Sequence, residues 1–262
     1  MIVTTGRGRF AVRATGDAGT PVVLLHPLAL SGAVWDPVAD HLGARHRVVT
    51  PDARGHGASE WDGGEFTIED LAADAAAVIE TMLPTPAHVV GMSMGGSAAL
   101  VLAAARPELV GRLVLADTTA CYGPDRVEKW AERARTAAGV PREKQLSFQT
   151  DRWFGEEFRS ARPGEVERVA KIFTATDSRA HAAACRAFGG LDATALLPRI
   201  TAPTLVLVGE EDYATPPAMA RTIADGVAGS ALRVLPGTRH LSLIERPGLW
   251  PDLAAFFGGG SG

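Results

Sequence analysis

Short, almost wholly apolar runs alternate with longer segments of mixed polarity through the first half of the chain. Residues 22–26, 47–51, 87–91 and 112–117 read as strands, and residues 68–83 and 93–106 between them as helices. Strands of four to six apolar residues without polar alternation are buried on both faces. That predicts an α/β fold with a mainly parallel sheet and helices on each side, its first strands antiparallel.

Between residues 121 and 200 the strand-like runs stop. Helix-forming stretches at 126–138 and 164–175 take over, punctuated by Gly139, Pro141, Gly155 and Pro163. Strand and helix patterns resume at 204–209, 217–228, 232–235 and 249–257. The expected organisation is one discontinuous core domain, residues 1–119 and 201–257, interrupted by a helical cap at 120–200. Residues 258–262 have linker composition and are expected to be a flexible tail.

Composition narrows the setting. With 46% hydrophobic and 21% charged residues among 262, the chain has material for a sizeable core and is not of a disordered type. A net charge of −4 with no basic block argues against nucleic acid as a partner and favours a small ligand. Apolar runs are far too short to span a bilayer, and the first ten residues, with Gly6, Arg7, Gly8 and Arg9, lack the apolar stretch of an export signal. A cytoplasmic location is expected, with Cys121 and Cys185 as reduced thiols.

The chemistry is concentrated in Gly91-Met92-Ser93-Met94-Gly95, placed between an apolar strand and a helix. A serine hydroxyl is a weak nucleophile until a sharp turn lifts it clear of the backbone and a base takes its proton. The pentapeptide alone occurs by chance in glycine-rich chains, so partners are needed. Catalytic groups in open α/β sheets collect at the carboxyl ends of strands. There, 204–209 runs into Glu210-Glu211-Asp212, and 232–235 is followed by Gly237-Thr238-Arg239-His240. Ser93, Asp212 and His240 thus form a candidate triad in the order serine, acid, histidine, with His240 as base and Asp212 fixing its tautomer. Asp117, at the end of an earlier strand, is the alternative acid. His41, His46, His88 and His181 lack comparable context.

An oxyanion site needs two backbone N–H donors. Met94 follows the nucleophile, and Leu28 is the candidate in the early loop because Pro27 has no N–H. His26 reads as structural, as does Asp52-Ala53-Arg54-Gly55-His56-Gly57-Ala58-Ser59, suited to pinning loops through charge-assisted hydrogen bonds. Neither a phosphate-binding Gly-Lys-Ser/Thr end nor a metal-ligand spacing occurs, so neither a cofactor nor a metal is expected.

Together these residues resemble the α/β-hydrolase superfamily over residues 22–247. More narrowly, the chain is similar to 3-oxoadipate enol-lactonases through the Asp52 to Ser59 segment, Gly91 to Gly96, Asp151-Arg152-Trp153-Phe154, the stretch around Asp212, and His240-Leu241-Ser242-Leu243-Ile244-Glu245-Arg246-Pro247. Arg152-Trp153-Phe154 and Ala182-Ala183-Ala184-Cys185-Arg186-Ala187 carry the narrower likeness. The resemblance implies acyl transfer on a lactone bearing a free carboxylate, with Arg152 gripping that carboxylate and Trp153 walling the ring. One departure is His26-Pro27-Leu28, where the lactonase pattern has an Asn-Ser-Leu type segment and ordinary esterases often begin with His. Other readings of the same residues are a carboxylesterase, a carbon–carbon bond hydrolase of ring-cleavage products, a perhydrolase side activity, and a non-catalytic ligand receptor on the same fold.

Overall fold

The computed structural model describes residues 1–258. The chain runs β1 (Ile2–Thr5), β2 (Gly8–Thr15), β3 (Thr20–Leu25), α1 (Asp36–Gly43), β4 (His46–Pro51), α2 (Ile68–Met82), β5 (Ala87–Met92), α3 (Met94–Ala105) and β6 (Val110–Ala116). Five helices follow: α4 (Arg126–Gly139), α5 (Arg142–Trp153), α6 (Glu156–Ala161), α7 (Pro163–Ala175) and α8 (Ser178–Gly190). The sheet is then completed by β7 (Thr204–Gly209), α9 (Pro217–Gly226), β8 (Ala231–Leu235), α10 (Ser242–Glu245) and α11 (Trp250–Gly258).

The eight strands lie in the order β1-β2-β4-β3-β5-β6-β7-β8. The pairs β1–β2 and β2–β4 are antiparallel, and every pairing from β4–β3 to β7–β8 is parallel. Strands β5 and β7 are buried at every position, as their mostly apolar runs predict. Strand β8 departs from the expectation of burial on both faces. It is the sheet edge, with only one neighbour, and its residues are half-buried or exposed.

The two-residue period of a strand divides the core in two. Val23, Leu25, Val89, Leu113, Leu115 and Val206 face the side covered by α2, α3 and α9, whereas Val22, Leu24, Val90, Met92, Val114 and Leu207 face α1 and α11. Helix α3 is apolar all round and buried along all but its last residue, the pattern of a helix held inside the molecule. Helix α2 starts at a reciprocal cap in which Thr67 accepts from the Asp70 N–H and Asp70 accepts from the Thr67 N–H.

The inserted helices divide between the two cores. Trp130 of α4 and Phe188 of α8 belong to the first, and Trp153 of α5 with Phe173 of α7 to the second. Polar ties hold them down: Arg168 donates to the carbonyls of Ala33 and Val34 at 2.6 and 3.0 Å, and the Thr176 hydroxyl to that of Ala29 at 2.8 Å. The Glu245 carboxylate accepts from the N–H groups of Gly155 and Arg239, both at 2.8 Å.

Asp52 acts as the expected pin. It accepts from the N–H groups of Gly32 and Ala58 at 2.7 and 2.9 Å and pairs with Arg13, while Arg54 makes its two-pronged pair with Asp74 instead. Gly258 closes α11 rather than beginning a tail, and the rest of the expected tail, residues 259–262, lies outside the described residues. No helix among the described residues is long and apolar enough to cross a membrane.

Two glycines are required by close approach. A Cβ on Gly95 would collide with the Leu25 carbonyl group, and one on Gly91 with that of Gly95. Gly164, in the first turn of α7, has open space around it. Gly95→Ala is therefore expected to cost about 1–3 kcal/mol of stability, whereas Gly164→Ala is neutral or stabilising by up to about 1 kcal/mol, both read from urea unfolding midpoints.

Candidate active site

Ser93 sits at the turn between β5 and α3 with φ 55° and ψ −115°, outside the comfortable regions for a residue with a side chain. Such a conformation costs on the order of 1–3 kcal/mol and persists only where its surroundings fix it. Here the Ser93 N–H donates to the Ala116 carbonyl at 2.9 Å, and its own carbonyl accepts from the Thr118 hydroxyl at 2.7 Å. The end of β6 therefore clamps both sides of the strained residue.

His240 Nε2 lies 2.9 Å from Ser93 Oγ, and His240 Nδ1 lies 2.8 Å from Asp212 Oδ2. All three side chains are buried. The carboxylate needs a donor on Nδ1, so Nδ1 carries hydrogen and Nε2 is left to accept the serine proton. Asp212 also accepts from the N–H groups of Ala214 and Thr215 at 2.8 and 3.0 Å and from the Thr215 hydroxyl at 2.7 Å. Burial pushes its pKa up, but the attraction of His240 and these hydrogen bonds outweigh it and hold the carboxyl below its usual range.

Asp117, the alternative acid, makes no hydrogen bond or ion pair with the imidazole. Its two oxygens accept from the Gly209 and Ser242 N–H groups at 3.1 and 2.8 Å, joining the ends of β6 and β7 to the turn after His240. Complete burial, reinforced by the charge of nearby Asp212, raises its pKa well above the carboxylate range.

The two candidate oxyanion donors flank the serine. Met94 N–H begins α3 and has no partner within the helix. Leu28 lines the same cavity as Ser93, and its N–H has no protein partner among the described residues. The loop carrying it is braced by His26, whose Nδ1–H donates to the Pro27 carbonyl at 2.7 Å while Nε2 accepts from the Ala53 N–H at 2.9 Å. Gly95 N–H donates to the His26 carbonyl at 3.1 Å, tying the loop to the start of α3. Positive φ at Ala29, 59°, turns the chain out of the loop.

Over the serine is a narrow cavity of about 30 Å³. Trp153 and Arg152 of α5 line it, together with Tyr122, Trp130, Arg133, Gln149, Phe173, His181 and Phe188 from the inserted helices or the loop leading to them. Trp153 is buried and set edge-to-face on Phe173 at 5.4 Å between centroids, so it is wall and core at once. Arg152 stacks over Phe148 at 4.4 Å, and Arg133 over Trp130 at 4.0 Å. Neither arginine has a carboxylate partner among the described residues, and Arg152 Nε is buried without any partner. Burial, then repulsion from Arg133, pushes Arg152 down to about 10, which leaves it charged at neutral pH. Among the described residues, no group of three or more His, Cys, Asp or Glu is placed to hold a metal ion.

The structure thus brings together all seven residues singled out from sequence: Ser93, Asp212, His240, Leu28, Met94, Arg152 and Trp153. Sequence reasoning missed Thr215, Arg133, Tyr122, Gln149 and His181. Thr215 was reachable, because a Thr three residues after the acid is placed to close a turn on it. The other four come from separate parts of the insertion, and nothing in their local pattern marks a shared cavity. The geometry predicts that a fluorophosphonate labels Ser93, read by mass spectrometry. Ser93→Ala should abolish labelling, and His240→Ala should slow it by roughly 10³-fold or more. Ser97→Ala, on a buried hydroxyl bonded to Thr118 and the Thr119 carbonyl, should leave the rate unchanged.

Known proteins share this fold. The family model described as the alpha/beta hydrolase fold matches residues 20–247. The chain is 28% identical over 233 residues to 3-oxoadipate enol-lactonase 2 of Acinetobacter baylyi, covering 88% of this chain and 86% of that protein. The crystal structure of the enol-lactonase from Burkholderia xenovorans superposes with a TM-score of 0.92 at 28% identity, covering 99% of this chain and all 100% of that one. A thermophilic esterase from Thermogutta terrifontis, solved with malate bound, gives a TM-score of 0.89 at 28% identity over 98% of this chain and 97% of its own. The chain belongs to the α/β-hydrolase family and is a hydrolase related to lactonases and esterases.

Proposed function

We propose that the chain is a serine hydrolase of small esters or lactones that carry a free carboxylate, with an enol-lactone of the 3-oxoadipate type as the best substrate. The observation that carries this reading is the pair of guanidinium groups, Arg133 and Arg152, in the cavity that holds Ser93 and His240, without carboxylate partners among the described residues. Both arginines are half-buried and Arg152 Nε is enclosed without a partner; a guanidinium withdrawn from water in this way is costly, and an anionic ligand supplies the missing partner. Arg133, Gln149, Arg152 and His181 also border a second hollow, beside Glu132, Phe148 and Lys144.

In this reading residues 1–119 and 201–257 supply the chemistry and residues 120–200 form a cap that supplies selectivity. Ser93 Oγ attacks the carbonyl carbon as His240 Nε2 takes its proton, and the N–H groups of Met94 and Leu28 receive the developing alkoxide. Each such donor contributes about 3 kcal/mol to transition-state stabilisation. His240 returns the proton to the departing oxygen, leaving an acyl-serine. A water, deprotonated by the same imidazole, then attacks and releases the acid. An enol leaving group tautomerises to a ketone, which makes the first step hard to reverse. The bond changes use only side chains and backbone groups of this chain plus water, so the proposed enzyme is cofactor-free.

The test compares the p-nitrophenyl hemiester of glutaric acid with p-nitrophenyl valerate, alongside the enol-lactone itself. Arg133→Ala and Arg152→Ala should each lower kcat/KM for the hemiester by roughly 10- to 100-fold, as expected for losing a charge-assisted contact, and for the valerate ester by less than about threefold. Equal losses on both esters would make the arginines structural. Failure of the purified protein to turn over any of the three substrates would refute the ester and lactone assignment.

A further inference from the structure

His181, on α8, had no catalytic context in the sequence, and its chemistry emerges only in the fold. Its Nδ1 lies 2.6 Å from a guanidinium nitrogen of Arg142. A guanidinium group only donates, so Nδ1 accepts, the ring is neutral, and the hydrogen sits on Nε2. Arg142 is itself fixed in place, since it also donates twice to the Phe173 carbonyl, at 3.2 and 2.5 Å, and stacks on the Phe173 ring at 3.7 Å.

The opposite nitrogen is free. His181 is buried, yet Nε2 has no protein partner among the described residues and is not among the fully enclosed unpartnered atoms. The ring lines both the cavity over Ser93 and the outer hollow, next to Arg133 and Arg152. Since the ring borders both spaces, Nε2 is the ring atom left able to donate to a ligand bound there.

We propose that His181 Nε2–H is a neutral hydrogen-bond donor to the ligand carboxylate, its tautomer set by Arg142, and completes a three-sided subsite with Arg133 and Arg152. The inference rests on the carboxylate reading of the cavity. A carboxylate has about four acceptor directions, and a neutral third donor adds direction to the site without a third positive charge. The charged and titratable groups facing the ring are Arg142, His56, Arg133 and Arg152, and burial followed by Arg142 keeps the imidazole well below its usual pKa. Arg142 is thus a positioning residue.

The experiment is glutarate binding by calorimetry to the Ser93→Ala protein, which needs no turnover. His181→Leu should weaken binding by roughly 10- to 100-fold, and His181→Gln, which keeps a terminal N–H donor, should recover it to within about threefold of the His181 protein. In ¹⁵N-labelled protein the His181 side chain should show the Nε2–H tautomer at pH 7, with its Nε2 resonance shifting on glutarate addition; the signal is identified by its loss in His181→Gln. A Leu variant that binds glutarate within twofold of the parent, or an Nδ1–H tautomer, overturns the assignment. If glutarate binds neither protein, the carboxylate reading falls and takes this subsite with it. If glutarate binds as expected while Ser93 in the unmutated enzyme resists acylation, only the hydrolase reading falls.

Discussion

The arrangement depends on one constraint, the backbone of Ser93 held at positive φ between a buried strand and a buried helix. That conformation is intrinsically unfavourable, so it requires partners that fix it from several directions. The carbonyl of Ala116 and the hydroxyl of Thr118 do so from the end of β6, and Gly91 and Gly95 allow the first turn of α3 to press against β3 and β5. With the turn fixed, the serine hydroxyl, the Met94 N–H and the loop bearing Leu28 are fixed relative to one another. Placing Ser93 costs backbone strain, offset by the packing of α3 within the core.

A second set of contacts carries the order outward. Asp117 and Asp212 are neighbouring buried carboxyl groups with opposite tendencies. Asp212 has the imidazole and three hydrogen-bond donors and is held in its charged form; Asp117 is buried against backbone donors beside that charge and is driven toward the protonated form. The difference comes from the charges and donors each group meets, since both are acids at strand ends. Glu245 then links the turn before His240 to the inserted helices through the Arg239 and Gly155 N–H groups, so the imidazole and the cavity wall share an anchor.

Much of the fold was legible because its elements obey local rules. The apolar runs of β5 and β7 required burial on both faces, and the glycines around Ser93 announced a tight approach of helix to strand. The exposure of strand β8 was not legible, because its mixed residues say little about burial until the sheet order makes it an edge. Within the insertion, Arg152 and Trp153 drew notice through a family resemblance. Arg133 and His181 did not, since an arginine on an amphipathic helix is ordinarily solvated and a lone histidine has no sequence-level tautomer.

The sequence by itself determined the alternation of strands and helices, the place of the strained turn, and the order of serine, acid and histidine, because each follows from short-range periodicity or from residue types next to one another. Only the tertiary structure decided which acid meets the imidazole, since Asp117 and Asp212 both end strands and differ in what surrounds them. It also decided that Arg133, Arg152 and His181 share a cavity over Ser93. Those residues lie on three different helices, and which faces of those helices converge depends on how the helices pack on one another and into the two cores, an interaction between distant segments that no local pattern encodes.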